Sequence, residues 1–98
     1  MSAYCLFENL EIHDVAQLEA YKARVAPLVQ RFGGRYAVLG GNARPVEGDW
    51  APGYLVMIEF PDIDHARQWY DSPEYEDVKR LRLAAGRFNG VIVEGLPT

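Results

Sequence analysis

The spacing of apolar positions along this chain switches between two periods, and the switches mark out its elements. The run GYLVMIEF, Gly53 to Phe60, is apolar on both alternating faces, with Glu59 as its only charge. Branched and aromatic residues at that density suit a pleated strand, and both of its faces are fit for burial. Ala3 to Ile12 reads as another strand: Tyr4, Leu6, Leu10 and Ile12 share a face with Glu8, while Cys5 and Phe7 take the other. Arg35 to Gly40 is a short strand with Tyr36 and Val38 opposite Ala37 and Leu39, and Phe88 to Glu94 is the last one.

Between the strands the period lengthens to three or four. Val15, Leu18, Tyr21, Val25, Leu28, Val29 and Phe32 form one apolar stripe of a helix. Asp14 is placed to cap it, with Gln17 three residues on, as in a capping box. Pro27 removes the bond to the Ala23 carbonyl and is expected to bend the helix, which Gly33 and Gly34 then end. A second helical stretch is broken in two. Asp62 caps a short piece carrying Ile63, Ala66, Trp69 and Tyr70. Ser72 and Pro73 restart it as N-cap and first helical residue, with Tyr75, Val78, Leu81, Arg82 and Ala85 on one inner face. Its acids come early and its bases late, which suits the helix dipole. The segment Gly40 to Gly53 is dense in glycine and proline and has no period, so it reads as a long irregular loop of functional or mobile character.

Strand, helix, strand, strand, broken helix, strand is the βαββαβ order. It predicts a single α+β domain over residues 1–98, a ferredoxin-like sandwich with an antiparallel sheet in the order 4-1-3-2. Right-handed crossovers put both helical stretches on one side of that sheet. The other side then stays bare, and in either phase its residues are too apolar for water. A homodimer joined through the sheet face would cover it.

Composition narrows the picture. The chain has 98 residues, 49% of them hydrophobic and 24% charged, which is ordinary for a globular protein and not for a disordered one. Its net charge of −4 argues against a surface that tracks phosphates. Cys5 is the sole cysteine and reads as a small buried hydrophobe. No apolar run has the length of a membrane span and no signal-peptide pattern opens the chain, so a soluble cytoplasmic protein is expected.

The segments GGRYAVLGG, VEGDW and IEFPDIDHARQWYDSPEY extend these signals. With them the chain resembles, over nearly its whole length, the family called domain of unknown function 1330. Matching positions include Gly34, Arg35, Trp50, Glu59, Trp69, Tyr70, Ser72, Pro73, Tyr75 and Arg82. That resemblance implies a ferredoxin-like protomer and a sheet-to-sheet dimer of the dimeric α+β barrel superfamily. The superfamily includes cofactor-free monooxygenases, muconolactone isomerases, dye-decolorising haem enzymes and stress-responsive barrel proteins, and often uses a cavity between sheet and helices. The family itself lends no catalytic role to any residue. Its members often carry arginine shortly before the third strand; here Gly53 and Tyr54 stand there, so no anion site is expected at that spot.

Candidate chemistry is sparse. Glu8, Glu59 and Glu94 each stand among apolar neighbours on strands that the 4-1-3-2 order places side by side, so the three could converge, with Arg35 and Arg82 as their cations. His13 and His65 read as surface residues at helix starts. No metal-ligand spacing, nucleophile elbow or phosphate loop stands out. Aromatics are the better clue: Trp69 reads as core, and Trp50, in the loop, as a lid over a pocket or an anchor on a partner. The candidate pocket is Arg35, Tyr36, Trp50, Glu59, Trp69, Tyr75 and Arg82, suited to a small aromatic or carbonyl-bearing molecule, with no cofactor and no metal. Three function classes follow. One is a small-molecule-binding dimer, with cofactor-independent monooxygenation or isomerisation as its chemistry. The next is a non-catalytic structural or binding module. The last is an RNA-binding domain, since the same strand order builds that fold; the acidic balance and the absence of a basic residue before Gly53 speak against it.

Overall fold

In the computed structural model, which describes residues 1–97, side-chain caps set where each helix starts. Asp14 accepts from the backbone N–H of Gln17 at 3.1 Å and from its side-chain amide at 2.9 Å, opening α1 (Val15–Arg31). The helix runs unbroken through Pro27. Asp62 accepts from His65 N–H at 2.8 Å and opens α2 (Ile63–Asp71). Ser72 takes the N–H of Tyr75 at 3.1 Å and opens α3 (Pro73–Ala85), with Pro73 in its first turn.

The strands are β1 (Ala3–Ile12), β2 (Arg35–Gly40), β3 (Tyr54–Phe60) and β4 (Gly86–Glu94). They form one sheet in the order β2-β3-β1-β4, every neighbouring pair antiparallel, which is the predicted 4-1-3-2 order read from its other edge. Register decides which residue faces where, because directly opposed residues share a face. Ala3, Cys5, Phe7, Ile58 and Phe60 lie under the helices and join Val25, Val29, Ala66, Trp69, Tyr75 and Val78 in one core. Burial pushes the Cys5 thiol up to about 12, so it stays protonated and inert. The opposite face carries Tyr4, Leu6, Glu8, Leu55, Met57, Glu59, Val91 and Val93. No helix among the described residues is long and apolar enough to cross a membrane.

The last strand starts earlier than its apolar pattern suggests, at Gly86 and not Phe88. A register shift between Asn9 and Glu11 lets the pairing continue, Glu11 opposite Arg87 and Ile12 opposite Gly86. The Arg87 side chain donates to Glu11 at 3.1 Å across the same step. At Gly86 the chains approach so closely that a Cβ would stand 1.9 Å from the Glu11 carbonyl oxygen. Backbone cannot rotate away as a side chain can. Gly86→Ala is therefore expected to cost about 3 kcal/mol by overpacking, read as a lower urea midpoint. A variant as stable as the parent would show that the strands can part there at no cost.

A candidate ligand cavity between the first helix and the sheet

Aromatic packing closes one end of the helix–sheet layer and leaves the other open. At the closed end Trp69 is 0% exposed, its ring 4.3 Å from that of Tyr75, 5.5 Å from Phe60 and 6.2 Å from Phe7. Towards Asn9, Tyr54 and Phe88 the layer opens into a cavity of about 240 Å³. Its walls are apolar: Phe7, Leu18, Val25, Val56, Ile58 and Phe88 among them. The lining residues with polar groups are Asn9, Tyr21, Lys22, Tyr36, Tyr54 and Arg82. An apolar cavity with a few placed polar groups is the usual form of a small-molecule site.

Arg82 is the unusual member. It is 7% exposed, and its guanidinium carbon lies 4.9 Å from the Phe7 ring centre and 5.1 Å from that of Phe88. Among the described residues it takes part in no ion pair, and its buried Nε has no hydrogen-bond partner. Cation–π contact with two rings offsets part of the cost of burial, and the Nε–H is left without an acceptor. A second cleft of about 270 Å³, lined by Tyr70, Leu83, Gly90 and Ile92, lies on the far side of the same Phe7–Arg82–Phe88 partition.

The tyrosines around the cavity are neutral donors. Tyr21 and Tyr75 share a hydroxyl–hydroxyl hydrogen bond of 2.9 Å. Burial pushes the Tyr21 phenol far up, and Tyr75 adds to that. Burial also raises Tyr75, against the pull of Arg82, and lifts Tyr36 to about 12. None of them ionises near neutral pH, so none serves as a ready base.

The seven residues proposed from the sequence divide between the two faces of the sheet. Tyr36 and Arg82 line the cavity, Tyr75 is buried behind Tyr21, and Trp69 is packed in the core. Arg35, Glu59 and Trp50 are on the opposite face. Arg35 is opposite Glu59 in the sheet and forms an ion pair with it. The Ser2 hydroxyl, Arg35 and Tyr4 together hold the Glu59 carboxyl below its usual range. Trp50 is no lid on the helix-side cavity. Its indole N–H donates to Glu8 at 3.1 Å, and Asn89 donates to the other Glu8 oxygen at 3.4 Å. These groups border a hollow of about 360 Å³ on the sheet's open face, with Leu6, Leu55 and Val91.

The three strand carboxylates do not converge. Glu8 and Glu59 share the open face, but the Leu6–Met57 pair stands between them, and Glu94 falls opposite Ala3 with the other parity. A one-residue difference in register sends a side chain through the sheet, which is why composition alone could not decide this. Tyr21 and Lys22 were missed as cavity residues; a polar-tipped tyrosine inside the apolar stripe of α1 was the signal available. A wider depression of about 630 Å³ at Gly40–Ala43, Gly53 and Tyr54 is open surface with no charged side chain, and carries no comparable chemistry. Among the described residues no three potential metal ligands cluster.

A family model described as Domain of unknown function (DUF1330) matches residues 2–96. A comparison with curated protein sequences finds no significant match. Solved structures resemble the fold. RPA0582 of Rhodopseudomonas palustris, a protein of unknown function, superposes with a TM-score of 0.76 at 16% identity, over 99% of this chain and 84% of that one. SnoaB of Streptomyces nogalater, a cofactor-independent oxygenase, gives 0.64 at 19% identity, over 99% and 93%. A dimeric protein of unknown function with a ferredoxin-like fold from Bacteroides fragilis gives 0.62 at 12% identity, over 96% of each chain. At these identities the likeness concerns the fold alone, which is ferredoxin-like.

Proposed function

The chain belongs to the DUF1330 family, and from that premise we propose that it is a small-molecule-binding homodimer, holding an aromatic or carbonyl-bearing ligand between α1 and the sheet. One observation carries this reading: the cavity of about 240 Å³ has an apolar wall and tyrosine hydroxyls at its edge. Its size lies below the roughly 300–1,000 Å³ of pockets for drug-sized ligands, which favours a molecule of one or two rings.

Turnover is the second reading. SnoaB, of the same fold, is a cofactor-independent oxygenase. No carboxylate or imidazole lines the present cavity. Oxygenation here would use dioxygen as the oxidant and the ligand itself as the reductant, and isomerisation would only move a proton within the ligand; in both, Arg82 and the tyrosine hydroxyls would steady charge on its oxygen. Binding without turnover needs less and is the reading we place first.

A panel of benzoates, keto acids and phenols, tested by thermal denaturation, checks it. A compound at a hundred times its Kd contributes about 2.7 kcal/mol, a rise in Tm on the order of 10 °C for a domain of this size. Val56→Phe, which fills the cavity from β3, is expected to abolish the rise while leaving the circular dichroism spectrum unchanged. Absence of a dose-dependent rise across the panel would count against a ligand role and in favour of a structural module.

A further inference from the structure

We propose that the natural ligand is a small planar carboxylate, and that Arg82 receives its carboxylate oxygens at the inner wall of the cavity. This rests on the reading of the cavity as a binding site and adds the ligand's charge and its anchor.

The argument starts from an electrostatic imbalance. The chain as a whole carries −4. Yet the charged residues lining this cavity are Lys22 and Arg82, with no aspartate or glutamate among its lining residues. Lys22 is paired with Glu19 at 3.4 Å, which leaves Arg82 as the charge of this apolar space that takes part in no ion pair among the described residues. Of the two cations, Lys22 is exposed, whereas Arg82 is more than nine-tenths buried.

A buried guanidinium without a counter-ion is costly, and proteins ordinarily pair it. The Phe7 and Phe88 rings lie against the Arg82 guanidinium and the Tyr75 hydroxyl lies beside it, but no carboxylate does, and its Nε is left without an acceptor. Stacking satisfies the faces of the guanidinium and not its edge. The edge is where a carboxylate binds, through two parallel N–H···O bonds. Glu8 and Glu59, which sequence order offered as partners for it, sit on the other side of the sheet with partners of their own. The acceptor for the Nε edge of Arg82 is thus assigned to a ligand.

Other features limit the ligand further. Tyr21, Tyr36 and the Phe7 and Phe88 rings give the remaining wall, suited to a flat apolar body. The tyrosine hydroxyls, kept protonated by burial, are donors that favour an anionic oxygen. A single buried cation matches a single negative charge better than a phosphate dianion.

Paired probes test this by titration calorimetry on the whole chain: benzoate against benzamide, and 2-naphthoate against 2-naphthamide, alike in shape and different in charge. The expected result is that at least one acid binds no less than tenfold tighter than its amide. Arg82→Met should remove that preference by weakening the acid at least tenfold more than the amide. Arg82→Lys, which keeps the charge and loses the fork, should retain a reduced preference and serves if the methionine variant does not fold. Equal binding of acid and amide, or a preference that survives Arg82→Met, overturns the carboxylate assignment while leaving the cavity a binding site. Binding of none of the four probes overturns both.

Discussion

Trp69→Ala is expected to remove about 4 kcal/mol of stability, within the range for deleting a large buried aromatic. The residue sits on α2, the shorter half of the broken helix, and that half is fixed to the sheet mainly through its buried face, Ala66 and Trp69. The Trp69 ring is fully buried and touches Phe60 of β3, Phe7 of β1, and Tyr70 and Tyr75 of the helices. No neighbour is placed to collapse into the space, because each of these rings already packs against others. Set against the roughly 5–15 kcal/mol typical of a domain, such a loss is a large share of the total stability. The indole N–H adds a second element: it is buried and without a partner. Trp69→Phe removes that unmet donor along with part of the ring and is expected to cost clearly less than alanine. Urea denaturation at one fixed protein concentration checks both, since a dimer's midpoint moves with concentration. A midpoint for Trp69→Ala close to the parent's would mean that α2 is not held by this ring.

How far the sequence revealed the fold and the site depends on the range of the interactions involved. Caps act over three residues, and Asp14, Asp62 and Ser72 each make the bond that their position implied. Strand order follows from chain direction and connection length, so the sheet emerged as predicted. The site was less legible. Glu8 lies among apolar residues in sequence, but whether it faces the helices is settled by pairing with strands some 50 to 80 residues away, as with Leu55 and Asn89. Trp50 shows the same limit in a loop. No periodicity governs its direction, and the acceptor it finds, Glu8, is 42 residues distant. Arg82 was legible as an inward-facing residue of α3, because helical spacing is local. That it would meet two rings in place of an acid was not, because Phe7 and Phe88 reach it from strands whose register had first to be fixed.

In the proposed homodimer, Leu6→Glu is expected to separate the two copies into folded monomers. Leu6 is opposite Met57 on β3 and Val91 on β4, and Met57 is in turn opposite Val38 on β2. One apolar row thus crosses the whole sheet on the side that no helix covers. Val91 and Val93 are half exposed in the single chain, at 52% and 50%. Surfaces of this kind are usually covered by a partner. A two-fold partner would present the same row in return. Inside one protomer the open face would tolerate a glutamate at position 6, because its carboxylate can stay in water. In a face-to-face dimer the carboxylate is buried without a counter-ion, and each copy brings one. An uncompensated buried charge costs about 3–5 kcal/mol, so the dimer should weaken at least about a hundredfold. Sedimentation velocity at micromolar concentration reads the outcome directly, with circular dichroism to show that the variant is folded. A Leu6→Glu variant that still pairs would place the seam elsewhere; a parent protein that sediments as single subunits would show that there is none. The apolar row, Trp50 and the Glu8 hollow would then all face water, and the physical reason for a dimer would be gone.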